Sequence, residues 1–260
     1  MPKTELVDDL GLSAFAIADS LRSISRSIRQ CADRIESAAK DGSRETLQNA
    51  LQLIFKTADT PGSKIVFAGV GKSYLIGRKL AATMTSVGTP AISIHATEAL
   101  HGDLGIIRPF DCIILLSYSG ATDEVVNLAT ILRNSNWPSS FQPSVLNSHV
   151  NSHTNEVASD SSRSDSFLHS GVFLLGMGAE MDSPLGRLCD AWIECKVDGE
   201  LSSTVCAPTT SSSLMLAMGD SIAMLLMARR NFGPHDYARN HPGGELGRKS
   251  RSEIAYTTTC

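Results

Sequence analysis

Apolar residues in the first forty positions fall at 7, 10, 14, 17, 21, 24, 28, 31 and 35, with steps of three and four in alternation. That is a strict 3.5-residue repeat, and Ser and Arg fill the other faces. So narrow a stripe predicts a helix whose seam meets another helix. A helix of a partner chain fits the stripe better than the chain's own domain does. A second helix is predicted at about 44–58, through Leu47, Leu51, Ile54 and Phe55, and Thr60-Pro61-Gly62 stops it.

Strands and helices then alternate. KIVFAGV, PAISIH, CIILLSYSG, GVFLLGMG and WIECKV read as strands, and SYLIGRKLAATMTSVG and DEVVNLATILR as helices. Short apolar runs between helices indicate a parallel sheet covered on both faces. The expected fold is a doubly wound α/β three-layer sandwich. From about 134 to 170 the pattern fails in a Ser- and Asn-rich stretch, which is expected to be a disordered surface insertion. A long helix is predicted over 207–230, its start dense in hydroxyls that can cap it. A short acidic turn, HDYARN, follows, then HPGGELG and a polar, loose tail at 250–260.

Composition narrows the class. The chain has 260 residues, 42% hydrophobic and 19% charged, enough for a sizeable core. Net charge is −4, and no basic run suggests a nucleic-acid groove. Cys112 and Cys195 lie in apolar runs and no CxxC pair occurs, which fits a reducing, cytoplasmic setting. The N-terminus lacks an apolar signal-peptide core. The most apolar helix is interrupted by Asp220 and is read as too short to span a bilayer, so no membrane role is expected. His149 and His153 are four apart without a carboxylate at useful spacing, and no metal site is expected.

Four stretches can carry chemistry. FAGVGKSYLIG looks like a phosphate cradle, but Val66 stands where a nucleotide P-loop needs its first Gly. Tyr74 stands where a dinucleotide fingerprint needs its third. What survives is a strand, a Gly-rich turn and a helix N-terminus able to face an anion. Thr97–Gly105, TEALHGDLG, gathers Glu98, His101 and Asp103. Ser117-Tyr118-Ser119-Gly120-Ala121-Thr122 sits at the carboxyl end of the most apolar strand, where open α/β sheets bind ligands. Its hydroxyls, with Gly120 admitting close backbone approach, suit a single phosphate. Ser119 is also placed to cap the next helix. Last, Glu200 and His241 are groups suited to moving protons near neutral pH.

In order, GVGKSYLIGRKLAATMTSVGTP, HATEALHGDLGIIRPFD, SYSGATDE, APTTSSSLMLAMGDSIAMLLMARRNF and ARNHPGGELGRK resemble the sugar-isomerase (SIS) domain of the arabinose-5-phosphate isomerases. The likeness covers most of residues 40–249. It implies a phosphosugar domain at 44–249 with a five-stranded parallel sheet, and it supports an oligomer contact for the helix that the 3.5-residue stripe predicts in 1–43. It also implies a homodimer or homotetramer with sites completed across subunits. The implied reaction interconverts ribulose 5-phosphate and arabinose 5-phosphate through an enediol, without a cofactor. Gly71, Ser73, Ser117, Ser119, Gly120 and Thr122 would bind substrate. Lys72 would stabilise the oxyanion, and His101, Glu124, Glu200 and His241 match polar positions at or near the family's active site. Proton transfer falls to Glu200 or His241. Tyr74, Tyr118 and Ala121 depart from the usual Gly, Asn and Glu, which leaves a non-catalytic phosphosugar-binding regulator as the alternative. The family's common pair of CBS domains has no counterpart in these residues, so regulation through them is not expected.

Overall fold

The computed structural model describes residues 3–41, 45–135, 171–245 and 247–249. His149, His153, nearly all of the Ser-rich stretch and the tail fall outside the described residues.

Helix α1 (Lys3–Asp41) and α2 (Glu45–Asp59) precede β1 (Ile65–Gly69), α3 (Gly71–Ser86), β2 (Ala91–His95) and the single turn α4 (Ala96–Ala99). Then come β3 (Cys112–Leu116), α5 (Asp123–Asn134), β4 (Phe173–Gly178), β5 (Ala191–Glu194), α6 (Thr210–Arg229) and α7 (Pro234–Asn240). The sheet order is β2-β1-β3-β4-β5, every pairing parallel. The three central strands are apolar at each position because both faces are covered.

Alternate residues of each strand feed two cores. Ile65, Phe67, Ile114 and Leu116 pack with Ile76, Leu80 and Met84 of α3, Ile54 of α2 and Leu214 and Ile222 of α6. Val66, Ala68, Ile113 and Leu115 pack with Val125, Leu128 and Leu132 of α5 and Ala96 of α4. Each fully buried Leu or Ile contributes roughly 1.5–3 kcal/mol. Helices α3 and α5 therefore cover opposite faces. The chain leaves β1 toward β2 and leaves β3 toward β4, so the topology reverses between β1 and β3. Such a switch point opens a crevice at the carboxyl ends of the strands. At the opposite end of the sheet, the fully buried Asp111 accepts hydrogen bonds from Lys64 N (2.8 Å), Lys64 Nζ (2.7 Å) and Arg108 N (2.7 Å).

Helix α1 divides in two. Its C-terminal half joins the domain: Cys31 is buried, Gln30 Nε2 donates to Asp198 (2.8 Å), and Arg34 reaches Glu194 and the Lys196 carbonyl. Further toward the N-terminus, Ile17 and Leu21 of the 3.5-residue stripe are more than 60% exposed. Helix α6 is 20 residues long, enough on length and composition to cross a bilayer, which corrects the expectation that it is too short. Its inner face is nonetheless buried against the domain, with Gly219 on Leu80. The Lys79–Asp220 ion pair and the bond from Arg230 to the Gly88 carbonyl (2.6 Å) align α6 parallel to α3. HDYARN is not a turn: Pro234 opens a helix there, and Asp236 accepts from Gly233 N (3.2 Å) at its start.

Candidate active site

The loop after β3 is built rather than loose. Ser117 is buried, and its Oγ lies 2.8 Å from Thr122 Oγ1, which closes the loop on itself. Gly120 N donates to Ser117 O (3.2 Å), and Gly120 turns at φ +63°. A Cβ there would collide with Ser183 Oγ. The segment after β4 clamps the loop from the side: Ala179 N donates to Tyr118 O (2.8 Å) and Leu185 N to Gly120 O (2.9 Å). Ser119 does not cap α5. Its Oγ accepts from Ala121 N (3.3 Å) within the turn, and the N-cap is Thr122, whose side chain makes no capping bond to the helix. The first N–H groups of α5 are left to face an anion.

Helix α3 begins the same way. Its N-cap is Val70, with no side-chain bond, and Gly71 turns at φ +54°. Lys72 is exposed and Ser73 half-buried, one residue apart on the first turn. Among the described residues, the Lys72 ammonium meets no hydrogen-bond or ion-pair partner. Two open helix N-termini and a lysine thus flank the crevice between β1 and β3.

The third helix start at this end is filled. Glu200 Oε2 accepts from the backbone N of Thr209 (2.8 Å), Thr210 (2.8 Å) and Ser211 (3.3 Å), and from Thr209 Oγ1 (2.9 Å). Ser211 Oγ donates to Oε1. The cap of α6 is therefore this carboxylate and not the hydroxyl run expected for it. Partial burial pushes the Glu200 carboxyl up, but the bonds from Ser211 and Thr209 outweigh it and hold it below the usual range. Glu200 is a carboxylate at neutral pH.

These features are those of a known domain. The SIS domain profile matches residues 61–139. The chain carries a SIS domain. It is homologous to the arabinose 5-phosphate isomerases. It is 32% identical over 235 residues to KpsF of Escherichia coli, covering 90% of this chain and 62% of that protein. It is 36% identical over 191 residues to GutQ of Salmonella typhimurium, covering 74% of this chain and 49% of that protein. The chain thus spans less than two thirds of these relatives' lengths. Among solved structures, E. coli CFT073 c3406 in complex with arabinose 5-phosphate superposes with TM-score 0.67 at 27% identity, over 93% of this chain and all of that one. The Vibrio vulnificus NanR protein complexed with ManNAc-6P shares the fold, with TM-score 0.58 at 16% identity over 97% of this chain and 74% of that one.

The other residues expected at the site divide by place. Glu124 is exposed in the first turn of α5, at the crevice. His101 is exposed just after α4, beyond the end of β2. His241 is not brought to the crevice within one chain. Its Nδ1 lies 2.9 Å from Tyr237 O, its ring stacks on Tyr237, and it lines a cavity with Thr85, Ser86 and Ser93, at the far end of α3 from Lys72. A separate cavity of about 730 Å³ opens between α1, α2 and β5 beside Cys31, Leu51 and Glu194, away from the crevice.

Tyr118 turns away from the crevice. Its ring packs on the core, its hydroxyl accepts from Val197 N (3.3 Å), and the Val197 carbonyl lies 3.5 Å away. Sequence reasoning did not single out Ser183, or His95, which ends β2 beside Gly69. Nothing local marks Ser183. His95 is the polar residue that stops the apolar run PAISIH, which is the usual place for a ligand-facing residue. Burial pushes the Cys112 and Cys195 thiols up, so both stay protonated core residues.

Proposed function

We propose that the chain is a sugar-phosphate isomerase interconverting D-ribulose 5-phosphate and D-arabinose 5-phosphate. The observation that carries this reading is the pair of uncapped helix N-termini across the β1/β3 crevice, with Lys72 in the first turn of α3 and without a partner among the described residues. The phosphate sits on the Ser117–Thr122 loop, against Ser119, Gly120 and the first N–H groups of α5. That anchor holds a flexible open chain with its carbonyl toward α3. Gly71 and Ser73 contact the sugar.

A base removes a proton from C1 of the ketose, next to its carbonyl. The enediol forms as negative charge grows on the oxygen, and Lys72 stabilises it there. The proton returns at C2, the C1 oxygen gives up its proton, and the aldose forms. Hydrogen is conserved overall, so no redox cofactor is called for. The five hydrogen bonds on Glu200 fix its position and weaken it as a base. His241 is the other candidate for the proton, and in this reading it serves the site of a second copy. The exposed apolar residues of α1 support a homodimer or homotetramer. The curated relatives and the solved structure holding arabinose 5-phosphate support this substrate and, with it, a cytoplasmic setting.

The test is to incubate the purified chain with ribulose 5-phosphate and measure arabinose 5-phosphate. No turnover of any pentose or hexose phosphate would sink the reading.

A further inference from the structure

The crevice has a length as well as a location. The phosphate loop follows β3, the Lys72 turn follows β1, and the last strand on that side is β2. Adjacent strands lie about 4.8 Å apart, so the span from the end of β3 to the end of β2 is about 10 Å. An extended five-carbon chain with its phosphate is of that order. What stands at the end of β2 therefore decides where a substrate must stop.

Two rings stand there. His95 is the last residue of β2, in register with Gly69 of β1. Tyr74, in the first turn of α3 and next to Ser73, meets it edge-to-face, with ring centroids 5.1 Å apart at 83°. The Arg78 guanidinium, one helical turn on, lies 6.0 Å from the Tyr74 ring. Both rings are half-buried. His95 Nδ1 is buried with no hydrogen-bond partner among the described residues, so packing against Tyr74 rather than a polar bond holds the imidazole. Gly69, packed against the Ser73 backbone and Cβ, keeps this turn close to the sheet. Neither ring can retreat without breaking the other's contact.

We propose that Tyr74, braced by His95, is the end wall of the sugar site and limits its substrates to five carbons or fewer. This rests on the isomerase reading, because it takes the phosphate to lie on the Ser117–Thr122 loop. The experiment measures thermal stabilisation by erythrose 4-phosphate, arabinose 5-phosphate and glucose 6-phosphate on the whole chain. Turnover of the five- and six-carbon compounds is measured in parallel. Wild type is stabilised by the four- and five-carbon compounds and not by the six-carbon one. Tyr74→Ala gains the six-carbon response, with apparent affinity at least about tenfold tighter than wild type. Tyr74→Phe keeps the ring and the limit. His95→Ala, which leaves the Tyr74 ring but removes its brace, shifts in the same direction by less and serves if Tyr74→Ala does not fold.

Wild type accepting the six-carbon compound as well as the five-carbon one overturns the proposal. So does an unchanged preference in both alanine variants. Five-carbon binding and turnover with unchanged preference remove the wall and leave the isomerase reading standing. No stabilisation and no turnover with any of the three removes both.

Discussion

The carboxylate of Glu200 lies 2.8 Å from the backbone N of Thr210, the first residue of α6. A residue singled out for proton transfer is thus also the cap of a 20-residue helix of the core. The two roles pull on one pKa. The N–H groups and hydroxyls of the cap favour the charged carboxylate, and that lowers the basicity proton abstraction would use.

Replacing Glu200 should therefore cost stability as well as activity. Loss of an N-cap interaction is worth about 0.5–2 kcal/mol, and Glu200→Ala should sit at the upper end because several donors are orphaned. Glu200→Gln keeps an acceptor oxygen and should cost less. The folded pKa lies below the unfolded one. The contribution is therefore present above the ordinary Glu value of 4.5 and fades as pH falls through the lower folded value. Urea melts at a series of acidic pH values check this. Wild type should lose more stability than Glu200→Gln between pH about 5 and 3. Parallel curves would exclude the charged cap.

Gly120→Ala tests the phosphate role proposed for the Ser117–Thr122 loop. The residue sits at φ +63° with Ser183 Oγ where a Cβ would go. A non-glycine residue in this region costs about 1–2 kcal/mol before the clash is counted. The expected result is a fall of that size or more in chemical denaturation, with KM for the sugar phosphate rising more than kcat falls. A stable variant with unchanged KM would show that the loop's shape does not matter to the phosphate.

The sheet was legible because its three central strands are buried on both faces and read as unbroken apolar runs, CIILL most clearly. The loops at the strand ends were legible because hydroxyl and glycine residues follow those runs directly. What sequence could not carry was anything joined at long range. Glu200 lies ten residues before Thr210, so nothing local marks it as the cap of α6. HDYARN looked like a turn because the Pro234 signal for a helix start sits beside Gly233, a common stop. Tyr118 stands in sequence between two of the residues expected to bind substrate, Ser117 and Ser119, yet it does not face the crevice. Its ring direction is set by Val197, seventy-nine residues on.

Tyr118 is a strut. It joins the Ser117–Thr122 loop to the segment that runs from β5 to Glu200, through contacts of its hydroxyl with both backbone polar groups of Val197. Tyr118→Phe keeps the packing and leaves the buried Val197 N–H without this partner, for a cost of about 1–3 kcal/mol. Since the loop stays clamped by Ala179 and Leu185, KM should change little while kcat drops. Steady-state kinetics separate the two, and a change confined to KM would place Tyr118 on the phosphate instead.

The position of His241 makes the sharpest demand on assembly. Asn240 Nδ2 donates to Ser86 O (3.4 Å) at the last residue of α3, while Lys72 is on its first turn. That separation is about 20 Å along the helix. If His241 acts on substrate, it acts in another copy's crevice. Lys72→Ala and His241→Ala should then each be inactive alone. Unfolded together and refolded as a mixture, they form hybrids. In a mixed dimer one site lacks both residues and the other has both intact. With random pairing, about a quarter of wild-type activity should return for a two-fold dimer. If His241 serves its own chain, or serves no site, the mixture should do no better than its parts. An Ile17→Asp, Leu21→Asp double variant supplies the other half of the argument. It charges the exposed face of α1, so gel filtration should show a smaller assembly, and activity should fall with it while the fold of the domain, read by far-ultraviolet circular dichroism, persists. Full activity in a monomer would exclude a site completed across copies.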